Sequence, residues 1–418
     1  MPVILKDKEG GRGKFSWISS PYVPFKSCIR IFKDLERKHF SHSSAVKRLN
    51  IKRKLHSLVS PKNPNRNVAC SNVIIISSGG IGDTILFSLV FSRFEVLVQG
   101  NETITILLQK ESAKVGFLFG KNVRIISVDF NKLVKTPSYR KDLCQQLFKS
   151  NFRLVISSDF LRHPKKDEVL IQACQAPQVL AMSPRTWPKY DSALLKNRAL
   201  YSSLFDSGPI IKDKVLRWPR FADWLTKQSA PPPQITFPPE TMPPSAKGTR
   251  PTVVFIPFSA VKEKQSPASL FFAIADQIPN DYDIIVSCTS GEIFKNPSFR
   301  PLLNRANVFL EEANFEQLIP ILRGASLVVS VDTAAMHLAV AAGTQTLCLA
   351  SAAYVGEIIP YAAEITPDNV TFIYTTIECQ GCLGNCILSI DRGMFPCVSR
   401  ILQSEVLDKV QKLLGRNL

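Results

Sequence analysis

Along this chain, short runs of consecutive apolar residues alternate with segments whose apolar positions recur every three or four residues. Val73–Ser77 is one such run, and its unbroken Val-Ile-Ile-Ile predicts a strand buried on both faces. It leads into Gly79-Gly80-Ile81-Gly82-Asp83, and a helical pattern then extends from Asp83 to Phe94. Thr103–Leu108, Val123–Val128 and Arg153–Ser157 read as further strands, the last ending at Ser158-Asp159. Apolar strands alternating with helices imply a parallel sheet covered on both faces.

The pattern breaks at Ala230–Pro251, which holds eight prolines. Proline fixes φ and donates no amide hydrogen bond, so this stretch is expected to be an interdomain linker. The alternation then restarts. Thr252–Ile256, Asp283–Ser287, Leu327–Val331 and Thr346–Ala350 predict strands. "SPASLFFAIADQI" predicts a helix with Pro267 near its start. "NFEQLIPILRGA" predicts another, with Asn314 as N-cap and Gly324 at its end, and "AMHLAVAAG" a third, closed by Gly343. "SEVLDKVQKLLGRNL" is amphipathic, with Val406, Val410, Leu413 and Leu414 on one side.

The expected fold class is therefore α/β, two Rossmann-like domains with the ligand between them, beyond the C-terminal ends of the strands. The expected boundaries are an N-terminal extension at 1–70, a first domain at 71–229, the linker at 230–251, a second domain at 252–400 and a C-terminal helix at 401–418.

Composition adds little to this picture except at the N-terminus. The 418 residues are 45% hydrophobic and 21% charged, an ordinary globular balance. The net charge of +18 is unevenly placed. Residues 1–70 hold 16 Lys or Arg against four Asp or Glu, about +12 of the total. "CIRIFKDLERKHF" within them reads as a short amphipathic helix with Ile29, Phe32 and Leu35 on one side. The extension opens "MPVILKDKEGGRGK", charged from the start and without the apolar core of a secretory signal. The longest uncharged run, Leu338–Gly356, contains polar residues and two glycines and reads as helix, turn and strand, not as a membrane span. The expectation is a cytoplasmic protein whose residues 1–70 can touch anionic lipid of the inner membrane through their basic side chains. No nucleic-acid motif accompanies the charge, so nucleic acid is not an expected partner.

Three stretches carry candidate chemistry. In the first, Gly79 and Gly80 permit a sharp turn, and the helix starting near Gly82 offers amides and a positive dipole end. The pattern is neither GxGxxG nor a P-loop. Asp83 would repel phosphate there, but it suits a hydroxyl that must lose its proton, as a general base; capping its own helix is the plainer alternative. In the second, "VVSVDTAAMHLAVAAG", a strand ends at Asp332 and a helix opens with Thr333, Ala334 and Ala335, whose amides and hydroxyl suit a diphosphate. His337 lies one turn on, either facing the same cleft or simply packing. In the third, "FIPFSAVKEKQSP", a strand is followed by Ser259, Lys262 and Lys264, natural phosphate partners or merely a solvated loop.

Taken together and in this order, the three stretches resemble glycosyltransferase family 9, the ADP-heptose:lipopolysaccharide heptosyltransferases. The resemblance spans roughly residues 72–400. It implies a GT-B fold and an inverting transfer from an ADP-sugar such as ADP-heptose that needs no cofactor for catalysis. It implies that Asp83 is the general base, with Gly80 and Gly82 beside the substrates. Ser259 and Lys264 would bind the diphosphate, Asp332 the donor sugar, and Thr333, Ala334, Ala335 and His337 the phosphate side. Glu292, in "SCTSGE", falls about where the family has an acid for the ribose hydroxyls. The chain departs from the family at Ala334, where Gly is usual, at Pro257-Phe258, where a Gly is common, and at Ser266-Pro267, where Trp-Pro is common. The donor and the acceptor are thereby left open: a lipopolysaccharide or other bacterial glycan or glycolipid, or a protein acceptor as in the autotransporter heptosyltransferases. A non-catalytic binding protein on a GT-B frame is a further reading, and a GT-B epimerase or phosphorylase would need UDP- or phosphate-specific signatures absent from the chain.

Ten cysteines are present, and four of them, Cys379, Cys382, Cys386 and Cys397, fall within 19 residues. Four thiolates at this spacing can close a tetrahedral site around zinc or iron, and Gly381 and Gly384 allow the tight loops. Such a metal would be structural, because four protein ligands leave no open position. The resemblance points the same way, since its autotransporter branch holds an iron. Unliganded reduced thiols are the alternative.

Overall fold

The computed structural model describes residues 70–246 and 248–415. They belong to a compact unit that begins at Asn65. The helix expected around Ile29–Leu35 lies outside the described residues.

Two six-stranded sheets organise the unit. The first comprises β1 (Val73–Ser77), β2 (Ile104–Gln109), β3 (Arg124–Val128), β4 (Leu154–Ser157), β5 (Gln178–Met182) and β6 (Ser203–Phe205). The second comprises β7 (Thr252–Ile256), β8 (Asp283–Ser287), β9 (Val308–Glu311), β10 (Leu327–Val331), β11 (Thr346–Leu349) and β12 (Val370–Ile373). Every strand pair is parallel. The first sheet runs β3-β2-β1-β4-β5-β6, and the second, read from its far edge, β9-β8-β7-β10-β11-β12. Both follow the Rossmann order, in which the strand order reverses beside the first strand. The reversal leaves a crevice between β1 and β4 in one sheet and between β7 and β10 in the other.

The central strands form because they are apolar on both faces. Val73, Ile74, Ile75 and Ile76 are fully buried, each burial stabilising by about 1.5–3 kcal/mol. Helix α1 (Ile81–Ser88) follows β1, α2 (Asp167–Cys174) follows β4, and α3 (Lys214–Thr226) closes the first half. In the second half α4 (Ala268–Gln277) follows β7, α5 (Phe315–Gly324) precedes β10, and α6 (Ala334–Ala341) follows it. The final helix, α7 (Gln403–Leu413), buries Val406 and Val410, as its pattern predicts. One apolar core joins the halves: Leu86, Phe87, Trp218 and Phe221 pack in the same cluster as Met336, Val340 and Tyr361.

The structure departs from the sequence reading in places. The helix expected to run from Asp83 to Phe94 stops at Ser88, and a separate turn covers Ser92–Glu95. The Ser88 hydroxyl donates to the Ile85 carbonyl at 2.7 Å, competing with the helical ladder. Four strands lie outside the sequence reading: β6, β9 and β12 are sheet edges with no long apolar run, whereas the Val179–Met182 run of β5 is as long as that of β1. The proline-rich stretch is strapped along the second half. Ile235 is fully buried, the Phe237 N–H donates to the Ala341 carbonyl at 2.7 Å, and the Ala246 N–H to the Pro320 carbonyl at 2.8 Å. Gly324 is where this strap crosses α5: a Cβ there would collide with the Ala246 carbonyl. Asn314 caps α5 as expected, accepting from the Glu316 and Gln317 amides at 3.0 Å. Gly343 takes the left-handed conformation, φ 84°, that turns α6 into β11. Among the described residues no helix is long and apolar enough to cross a membrane.

Candidate active site

The three predicted stretches converge at the two crevices. Asp83 stands in the first turn of α1, just beyond β1. One carboxylate oxygen accepts the Gly80 N–H at 2.8 Å, the reach-back contact of a helix N-terminus. The other accepts from Lys214 Nζ at 2.8 Å. Asp83 therefore does cap its helix, and the same carboxylate forms an ion pair with the first residue of α3. Burial pushes its pKa up, but the Lys214 charge and the two hydrogen bonds outweigh this and hold it below the usual carboxylate value. Asp83 is thus ionised at neutral pH.

The glycines have steric reasons. A Cβ on Gly79 would lie 2.7 Å from the Asp83 Cβ, and one on Gly82 would lie 2.9 Å from the His337 ring. Gly82 is where α1 and α6 touch, so the first half meets the second directly beside Asp83. The Gly80 amide is already taken by Asp83.

Across this contact lies the second ion pair. Lys264, in the loop after β7, pairs with Asp332 at the end of β10. Both are buried, and the Lys264 ammonium sits 4.8 Å over the Tyr354 ring. Thr333 is the N-cap of α6, but its side chain makes no capping bond, so the first-turn amides around Ala334 and Ala335 are not capped by it. Ser259 lies in the β7 loop, its hydroxyl weakly engaged at 3.4 Å by the Val261 amide. Glu292 is less well placed to meet a ligand, because it caps the short helix Ser290–Lys295 through the Thr289 amide at 2.8 Å.

His337 lies between the two ion pairs. It is buried, and its Nδ1 is 2.6 Å from the Tyr361 hydroxyl. Burial pushes its pKa down to about 4, with Asp332 and Asp83 pulling upward and Lys264 and Lys214 downward. The imidazole is therefore neutral, and one ring is within electrostatic reach of both acid–lysine pairs.

A cavity of about 270 Å³ opens beside Asp83. Its walls include Gly79, Asp159, Arg185, Lys214, Tyr354 and Leu383. Sequence reasoning missed Lys214, Asp159 and Tyr354. Lys214 sits in "DKVLRWPRF", where nothing distinguishes it from a surface lysine; Asp159 was seen only as the end of a strand.

A model of glycosyltransferase family 9 (heptosyltransferase) matches residues 185–384. That segment is similar to a family 9 glycosyltransferase domain. Solved structures agree on the architecture. Escherichia coli ADP-heptose lps heptosyltransferase II superposes with a TM-score of 0.58 at 13% identity, covering 82% of this chain and 98% of that one. E. coli heptosyltransferase WaaC, solved with ADP-2-deoxy-2-fluoro heptose, gives 0.60 at 16% identity, covering 82% and 99%. A family 9 glycosyl transferase from Veillonella parvula gives 0.61 at 14%, covering 84% and 99%. No curated protein sequence matches. The fold is GT-B, as the motifs implied.

The cysteine loop lies against the same cavity. The Gly381 N–H donates to the Ala352 carbonyl at 2.9 Å and the Leu383 N–H to that of Ala353 at 2.8 Å, docking the loop beside Tyr354. Cys379 and Cys397 are buried, with Cys382 and Cys386 packed against the same cluster. Among the described residues no three metal-binding side chains converge tightly enough to hold an ion. Cys379, Cys382, Cys386 and Cys397 form no disulfide.

Proposed function

We propose that this protein is a glycosyltransferase that moves a heptose from ADP-heptose to a bacterial glycan acceptor with inversion at the anomeric carbon. The observation that carries this is the pair of acid–lysine contacts, Asp83–Lys214 and Lys264–Asp332, one from each half, on either side of His337. Asp83 draws the proton from the acceptor hydroxyl as its oxygen attacks the anomeric carbon. The bond from that carbon to the diphosphate breaks, and its electron pair leaves with ADP. Lys264 and the first-turn amides of α6 meet the charge growing on the diphosphate, a contact present more strongly in the transition state than before it. Asp332 positions Lys264 and faces the donor sugar, with Ser259 toward the rest of the nucleotide. WaaC, the relative solved with an ADP-sugar analogue, supports this choice of donor.

The test is ADP release from ADP-heptose. Asp83→Ala is expected to lower kcat by about 10²–10⁴-fold with donor KM little changed. Sugar transfer that survives this change sinks the assignment of Asp83. Lys264→Ala is expected to cost about 10²–10³-fold.

One pair of the four clustered thiols has the spacing of a structural metal site, although the four do not converge on one point. Cys379 and Cys386 Sγ are 3.8 Å apart, about the edge of a tetrahedron with ~2.3 Å metal–sulfur bonds. Gly381 and Gly384 are both left-handed, φ 76° and 84°, as tight chelate turns require. Cys379, Cys382, Cys386 and Cys397 would hold zinc or iron, which would fix the loop and take no part in the transfer. Elemental analysis of purified protein should find about one metal per chain, lost in Cys379→Ser; a metal-free chain with four titratable thiols would overturn this.

A further inference from the structure

The cleft contains a further, half-buried carboxylate that the transfer as described leaves unused. Asp159 follows β4, directly across the crevice from the β1 turn, and lines the same 270 Å³ cavity as Asp83 and Lys214. One of its oxygens accepts the Ser78 N–H at 2.5 Å and lies 3.3 Å from the Ser78 hydroxyl. Behind Ser78 stands Asp167, in the first turn of α2, which accepts the His163 N–H at 2.6 Å and is also in contact with the Ser78 side chain. Ser78 and Asp167 line a second cavity, of about 490 Å³, with Lys110, Asp129, His163, Lys166 and Trp187 around it. Asp159, Ser78 and Asp167 therefore form a polar row joining the catalytic cavity to its neighbour.

We propose that Asp159 is the proton sink of the cleft, receiving the proton that Asp83 draws from the acceptor hydroxyl and passing it through the Ser78 hydroxyl toward Asp167 and the second cavity. The proposal rests on the reading of Asp83 as base and extends it. Each transfer frees one proton as the acceptor oxygen bonds to the anomeric carbon and the diphosphate departs. Asp83 cannot store that proton, because Lys214 favours its charged form. Asp159 can. Burial and the like charge of Asp167, together with that of Asp83, raise it to about 7, against the Ser78 amide and Lys214, which lower it. Lys214 holds its proton more firmly than a free lysine does, since Asp83 and Glu357 outweigh its burial. Arg185 and Arg217 also line this cavity, with Glu357 opposite. His337, beyond Asp83, is neutral and adds no charge. The proton thus moves from a weak base to a stronger one whose affinity matches neutral pH.

The experiment is ADP release from ADP-heptose, with water as the acceptor, measured from pH 5 to 9 alongside infrared titration of protonated carboxyl groups in the whole chain. The wild-type protein is expected to show a rate inflection near pH 7 and a carboxylic-acid band that titrates with it. Asp159→Asn is expected to remove both and to lower kcat at least about tenfold above the inflection, leaving donor KM unchanged. Ser78→Ala, which leaves Asp159 in place, is expected to keep the band but move the inflection and slow turnover. An unchanged inflection and rate in Asp159→Asn would overturn the proposal while leaving Asp83 as base. Equal activity in Asp83→Ala would instead overturn the reading on which it rests. If Asp159→Asn does not fold, an unaltered pH profile in Ser78→Ala overturns the relay by itself.

Discussion

A single methyl group at Gly82 would reach the His337 ring. The ring cannot easily yield, because Nδ1 is bound to the Tyr361 hydroxyl and the residue is buried. Alanine inside a helix ordinarily stabilises by about 1 kcal/mol relative to glycine. Here the clash at 2.9 Å should outweigh that gain, so Gly82→Ala is expected to destabilise by about 1–3 kcal/mol in urea unfolding. Gly80→Ala is the control: its Cβ would meet nothing nearer than an Asp83 oxygen at 3.6 Å, and it should cost less than about 1 kcal/mol. Equal losses would mean that the α1–α6 contact is not what Gly82 protects. Asp159 gives a second measurement at this scale. Its folded-state pKa is raised, so between about pH 4 and 7 the folded chain holds a proton that the unfolded chain has released. Stability from this group is present at low pH and lost as pH rises to about 7. Asp159→Asn should therefore match the wild type below about pH 4 and exceed it increasingly up to pH 7, by at most about 4 kcal/mol. Water in the cavity reaches this partly exposed side chain and reduces the gain. A difference that shrinks with rising pH would contradict the raised pKa.

At the scale of elements, α3 decides where Lys214 stands. Its N-cap, Asp213, accepts the Val215 N–H at 2.7 Å and the Ala362 N–H, from the other half, at 2.8 Å. The Trp218 indole N–H binds the Ser158 carbonyl at 3.0 Å, next to Asp159. One helix is therefore tied to the second half by its cap and to the β4 crevice by Trp218 in its second turn. Asp213→Ala removes the cap and leaves a partly buried amide unpaired, a loss of about 2–3 kcal/mol. It should also lower kcat for ADP release, because Lys214 follows the cap, whereas Asn314→Ala should cost only the ~1 kcal/mol of its cap on α5, away from Lys214. The same contrast explains what could be read from the sequence. The apolar runs of β1, β7 and β10 and the glycine and Asp-Thr turns after them are local signals, and they located Asp83, Lys264 and Asp332. Lys214 acquires its role only because a helix about 130 residues later folds back onto α1, and Asp159 only because β4 lies beside β1. No local pattern encodes such adjacency. The edge strands β6, β9 and β12 were missed for a related reason: three or four residues beside polar flanks carry too little periodicity to be distinguished from a loop.

On the scale of the whole molecule, the charge and the chemistry are segregated. The cleft is built from matched acid–lysine pairs, and residues 71–418 carry only about +6 of the +18. About +12 belongs to residues 1–70, whose basic side chains are far more numerous than any single nucleotide-sugar needs. A segment of that charge should be drawn to an anionic bilayer, each Lys or Arg near the surface contributing about 1 kcal/mol. Because the attraction is electrostatic, it should weaken as the screening length falls from about 10 Å at 0.1 M salt to about 3 Å at 1 M. The full chain is therefore expected to co-sediment with phosphatidylglycerol-containing vesicles at 0.1 M salt, to be released at 1 M, and to ignore purely zwitterionic vesicles at both. Reversing Lys52, Arg53 and Lys54 to Glu should weaken the binding without altering ADP release from ADP-heptose in solution, since those residues lie outside the cleft unit that begins at Asn65. Binding that persists at 1 M salt, or that does not distinguish the two kinds of vesicle, would show that apolar insertion or another surface holds the protein to the membrane.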